Sequence, residues 1–176
     1  LRRFVADADR VGAKAPALFI SIAAAWLGCC SAVAAAATRD PHSNADPSQY
    51  VVRHAALDLE TDFGAHRLRG SVDLTVERVA PAADRLLLDT RGLEIEAVGL
   101  RGEAGAVTPL EHRLGPPDPI LGRALEIHMP APAGATPRQV VRVEYSTGSD
   151  ATALQWLAPE QTAGRMQPFL YTQSQP

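Results

Sequence analysis

The chain has 176 residues, 46% of them apolar and 21% charged, with a formal net charge of −3. That length makes one domain the default, and the composition is that of a globular protein. With no basic block in the sequence, nucleic acid is excluded as a partner, because phosphate contacts need clustered Lys and Arg.

The first segment, residues 1–37, reads as a leader. Arg2, Arg3, Arg10 and Lys14 precede an uncharged run, APALFISIAAAWL, which passes into the small-residue stretch GCCSAVAAAA. A basic start, an apolar centre and a small-residue zone form the pattern of a secretory signal, with cleavage after Ala35 or Ala37. The run is also long enough for an uncleaved anchor. Trp26-Leu27-Gly28-Cys29 is similar to a lipoprotein cleavage motif, which makes Cys29 a candidate for lipidation. Cys29 and Cys30 are the only cysteines. Once the leader is removed, the chain has no disulfide, thiolate zinc site or cysteine nucleophile. The expected location is periplasmic or secreted, with membrane contact only through the leader or a lipid anchor.

Residues 38–49, TRDPHSNADPSQ, are polar with two Asp-Pro steps and read as a linker or arm. From there residues 50–176 read as one β domain. Val52 to Leu59 and Leu68 to Val76 alternate apolar and polar residues about a turn at Phe63-Gly64-Ala65-His66, the pattern of an antiparallel hairpin. Val72, Leu74 and Val76 fall on the buried face, and Ser71, Asp73, Thr75 and Glu77 on the solvated one. Leu86-Leu87-Leu88 is apolar throughout, as a central strand would be. Leu93, Ile95 and Ala97 alternate with Glu94 and Glu96. A short strand is expected around Val107 to His112, followed by a tight loop at Leu114-Gly115-Pro116-Pro117-Asp118-Pro119. Leu125, Ile127 and Met129, then Val141, Val143 and Tyr145, complete the alternations. Fourteen prolines, thirteen glycines and no helical period of ordinary length predict an all-β fold. It should be a mainly antiparallel saddle-like sheet or sandwich, preceded by a signal-peptide helix.

The chain carries no sequence pattern for catalysis. It has no H-E-x-x-H, no G-x-S-x-G and no P-loop. His42, His54, His66, His112 and His128 are not at ligand spacing, and His66 and His128 read as ordinary surface groups. The acids Asp58, Glu60, Asp73, Glu77, Glu94 and Glu96 read as a solvated sheet face with arginines nearby. Trp156 reads as an anchor packed in the core.

The last stretch carries the functional signal. Ala153-Leu154-Gln155-Trp156-Leu157-Ala158-Pro159-Glu160-Gln161-Thr162-Ala163-Gly164 is followed by Pro168-Phe169-Leu170-Tyr171 and Gln173-Ser174-Gln175. Together with Asp40-Pro41-His42-Ser43, Leu88-Asp89-Thr90-Arg91 and Gly115 to Gly122, it resembles the N-terminal domain of the zinc aminopeptidases related to leukotriene hydrolase. The match covers roughly residues 40–175 and departs at Pro176, where Ala is usual. The resemblance implies a β saddle followed by a zinc-bearing, thermolysin-like catalytic domain and a helical domain. It also implies that Gln173, Ser174 and Gln175 line the substrate channel and bind the peptide backbone or its amino end. No zinc ligand of that catalytic domain has a counterpart here, so zinc belongs to the parent and none to this piece. The expected partners are peptide substrates and the missing catalytic domain in cis. The alternative is a secreted β-sandwich binding module without catalysis.

Overall fold

The computed structural model describes residues 40–102, 104–131, 138–149 and 151–173. The leader, Cys29, Ser174 and Gln175 lie outside the described residues. The described residues form ten strands and one 3-10 turn. β1 (Tyr50–Asp62) and β2 (Arg67–Arg78) make the expected hairpin, with Tyr50 opposite Arg78 and Asp62 opposite Arg67. Its turn is held from below by the Asp62 carboxylate, which accepts the Gly64 and Ala65 N–H groups at 2.8 and 2.9 Å. His66 closes the turn at φ 51°, a left-handed value that His and Asn tolerate better than most residues.

Then follow β3 (Arg85–Asp89), β4 (Leu93–Arg101), β5 (Val107–Pro109), β6 (His112–Leu114), β7 (Ala124–His128) and β8 (Arg138–Thr147). They build a five-stranded sheet, β1-β2-β8-β4-β5, and a three-stranded sheet, β3-β7-β6, both antiparallel. Val76, Val98, Val141, Val143 and Tyr145 from the larger sheet share one core with Leu86, Leu125, Ile127 and Met129, joined by Tyr50 and Ala83. Val76, Ile127 and Val141 are fully shielded from water, and each such side chain stabilises the fold by roughly 1.5–3 kcal/mol. Tyr50 enters this core with its hydroxyl donating to the Ala83 carbonyl at 3.2 Å, and burial pushes its phenol pKa up.

Four local expectations are corrected. Leu86-Leu87-Leu88 lies in β3, an edge strand, and β7 is the central one. Leu86 and Leu88 face inward opposite Ile127 and Leu125, while Leu87 sits opposite Glu126 on the outer face, so the run is apolar without being enclosed. In β4 the ladder shifts register between Ile95 and Ala97. This bulge puts Ala97 outside and Val98 in the core. The stretch from Val107 to His112 is two strands in two sheets. Leu110 donates its N–H to Val98 and Glu111 accepts from His128 where the chain crosses over. Finally, the polar face of the larger sheet is not simply solvated: Ser71 of β2 and Ser146 of β8 are buried on it. Arg142 donates to Ser71 Oγ at 2.7 Å and to Asp73, which Arg101 also pairs.

The segment before β1 is tied down by β3. Ser43 Oγ donates to Asp89 at 2.7 Å, and the Asn44 backbone and side chain donate to the same carboxylate. Next to it, Thr90 Oγ1 donates to the Arg123 carbonyl at 2.7 Å, and Arg123 Nε donates to Gly115. Gly122, at φ 79°, lies so close to Arg91 that an added Cβ would sit 2.6 Å from its Cα. Three of the short motifs noted in the sequence therefore meet at one structural junction. Ile127→Ala should cost about 2–5 kcal/mol in urea unfolding of this chain. Leu57→Ala, on an exposed position of β1, should cost under about 0.5 kcal/mol. Equal losses would contradict the assigned core.

Candidate functional site

The C-terminal motif folds into a small unit of its own. β9 (Leu154–Leu157) and β10 (Phe169–Thr172) form a two-stranded antiparallel sheet, with Trp156 opposite Leu170 and Gln155 opposite Tyr171. The loop between them is pinned internally. Pro159–Gln161 forms the 3-10 turn, whose Gln161 side chain accepts the Ala158 N–H at 3.0 Å. Thr162 Oγ1 lies 2.8 Å from the carbonyl oxygens of both Pro159 and Gln167. Gly164 turns the chain at φ 81°, a conformation that favours glycine. The Pro-Glu-Gln-Thr-x-Gly spacing is thus a loop-forming device.

One face of the strand pair rests on the β1–β2 turn. The Trp156 ring stacks on His66 with centroids 5.2 Å apart and planes 13° apart. Phe63 meets the same ring edge-on at 5.5 Å and 88°. Such aromatic pairs contribute about 0.5–1.5 kcal/mol beyond area burial. Trp156 therefore anchors to a turn at the end of the larger sheet and is not part of the main core. His66 is exposed in the turn, as expected, and in addition carries this ring contact.

Alternation along β10 sends Leu170 toward Trp156 and leaves Phe169 and Tyr171 on the opposite face, 54% and 47% exposed. Gln173 follows at the end of this exposed row. Its N–H donates to the Ala153 carbonyl at 3.2 Å, which extends the ladder one step. The Tyr171 hydroxyl donates to Gln173 Oε1 at 3.0 Å. The amide nitrogen of the exposed Gln173 carries two further donors. Sequence reasoning missed Phe63, His66 and Tyr171 in this arrangement. The only local signal was two rings in one hairpin turn.

Beside the unit, a cleft of about 1000 Å³ opens over the outer face of the larger sheet, bordered by Phe63, Arg69, Ser71, Arg142, Gln167 and Pro168. Its arginines are already engaged, Arg69 with Glu96 at 2.9 Å and Arg142 with Asp73 and Ser71. The hydrogen bond from Arg69 holds the Glu96 carboxyl below its ordinary pKa. Among the described residues no group of three or more His, Cys, Asp or Glu could hold a metal ion. His54 is on β1, His66 in the turn, His112 on β6 and His128 on β7, so they do not fit a zinc site. The cleft is also lined by Asp58, Glu60, Glu96 and Glu144, so its wall is charged, while the exposed Gln173 beside it offers a neutral amide.

No protein-family model matches the chain. It is similar to leukotriene A-4 hydrolase of Xenopus laevis, 33% identical over 136 residues, which is 77% of this chain and 22% of that protein. It is also similar to leucine aminopeptidase 2 of Neurospora crassa, 33% identical over 153 residues, or 85% of this chain and 22% of that protein. Among solved structures, yeast leukotriene A4 hydrolase in complex with bestatin shares the fold, with a TM-score of 0.66 and 24% identity over 80% of this chain and 21% of that chain. The chain spans about a fifth of the length of the curated relatives it matches.

The Arg69–Glu96 pair across the sheet has a defined pH signature. Because the folded-state pKa of Glu96 is depressed, the pair's contribution is present above the ordinary glutamate value and is lost as pH falls through the depressed one. In a carbon-13 NMR titration, Arg69→Met should move the Glu96 carboxyl midpoint upward. An unmoved midpoint would contradict the pairing.

Proposed function

The chain belongs, over the fifth of their length that it matches, to the family of the leukotriene A-4 hydrolases and leucine aminopeptidases 2, and on that premise we propose that it is the non-catalytic N-terminal, substrate-channel domain of an exported zinc metallo-aminopeptidase. The observation that carries this reading is the placement of Gln173. β10 delivers it, exposed, to the end of an exposed face, with its side-chain carbonyl held by Tyr171. A neutral amide can grip a peptide backbone whatever the side chains are. It cannot activate water near pH 7, so it serves binding and orientation only. Ser174 and Gln175 belong to the same proposal on the strength of the motif.

Zinc, when bound, would supply a Lewis acid and a water of lowered pKa. Its ligands would lie in a catalytic domain beyond these residues, because the described histidines do not converge. The 176-residue chain alone is accordingly proposed to be inactive, with peptides and the catalytic domain as its partners in the parent. Export rests on the order of charge and hydropathy in residues 1–37.

Two measurements check this. Each substrate hydrogen bond is worth about 0.5–1.5 kcal/mol net, so the double variant Gln173→Ala, Gln175→Ala in the parent enzyme should lose several-fold or more in kcat/KM with its metal retained. An unchanged kcat/KM would remove the channel role. Mass spectrometry of the exported protein should show a chain beginning after Ala35 or Ala37, or an acylated Cys29. An intact Leu1 on exported material would refute cleavage.

A further inference from the structure

We infer that His66 is a positioning residue for Gln173: its ring, with Phe63 beside it, holds Trp156 and through it the strand pair that presents the amide. The inference rests on the substrate-binding reading of Gln173 given above.

Among the described residues β9 and β10 pair as strands with each other and not with the five-stranded sheet. The loop between them is satisfied by its own Gln161 and Thr162. The entry to β9 is tied where Ala151 donates to the Gly148 carbonyl and Gly148 to that of Gly92; at its other side the pair meets the body where the indole of Trp156 lies on His66 and against Phe63. From Trp156 the constraint crosses directly to Leu170. It then runs along β10 to Gln173, whose N–H is locked to Ala153 on β9. A β-strand pair transmits such a constraint because each residue is tied across the ladder. The support is itself braced by hydrogen bonds. Asp62 holds the turn through two backbone N–H groups, and His66 is set at φ 51°. The side chain that aims the substrate group is thus fixed by a turn far from it in sequence.

Two substitutions separate ring from backbone. His66→Asn keeps a residue suited to the left-handed conformation and removes the stack, whereas His66→Tyr keeps a ring. In the 176-residue chain, His66→Asn should raise amide exchange across residues 154–157 and 169–173 by about tenfold or more and shift the Gln173 side-chain amide resonance. In the parent enzyme, with an unblocked dipeptide amide as substrate, the same variant should raise KM roughly threefold or more, the loss of about one oriented hydrogen bond. Its kcat should be little changed, and His66→Tyr should restore both readouts. If His66→Asn leaves exchange and KM unaltered while Gln173→Ala raises KM, the positioning role of His66 is overturned and the channel reading stands. If Gln173→Ala leaves KM unaltered, the channel reading falls, and His66 is a structural tie only.

Discussion

The inward face of β7 is the constraint on which the rest of the domain depends. Leu125 and Ile127 are within 1% of complete burial, and they hold the narrow three-stranded sheet against the centre of the five-stranded one. Opposite them stand Val141 and Val143 of β8, the middle strand of the larger sheet, with Val76 and Val98 from its neighbours on either side. Because strand side chains alternate, this packing decides which face of every other strand looks outward. It sets Ser71, Asp73 and Arg142 on the far side of the sheet, and it fixes the direction in which the β1–β2 hairpin projects. The turn that receives Trp156 is the tip of that hairpin, so the position of the C-terminal unit follows from the core.

The far side of the larger sheet shows how a charged face becomes rigid. Cross-strand pairing sets Asp73 opposite Arg142 and Glu77 opposite Arg138, and the ion pairs form in that register. The Glu96 bulge adds a carboxylate that meets Arg69. Exposed pairs of this kind contribute little individually, but they specify register, since a slip by one residue would set each carboxylate against the wrong face. Ordered arginines engaged in this way are unsuited to capturing an anionic ligand.

Much of this fold could be read from periodicity, and its exceptions have physical causes. The hairpin of β1 and β2, and the inward residues of β7 and β8, follow from strict alternation. Ala97 could not be placed, because a bulge inserts one residue without a composition of its own. Leu87 was misleading because an edge strand tolerates an apolar residue on its outer face. The C-terminal motif coincides with the β9–β10 pair that ends at Gln173. The contact between His66 and Trp156 has no local signature, since the two residues meet only after the hairpin and the C-terminal unit are both formed. The motif residues Ser43, Asp89, Thr90 and Gly122 proved to be a structural junction, so resemblance marked them without distinguishing support from binding.

The two layers of the account are joined by one strand. β10 is held on its inner side through Leu170 and Trp156, and on its outer side it offers Phe169, Tyr171 and Gln173. Support and presentation are thus opposite faces of the same residues. The most direct measurement is a crystal structure of the parent enzyme with a peptide-like inhibitor bound. The account predicts that the Gln173 side-chain nitrogen lies about 2.7–3.2 Å from a backbone oxygen of the inhibitor, with His66 still stacked on Trp156. An inhibitor bound well away from Gln173, with that amide turned to solvent, would contradict it.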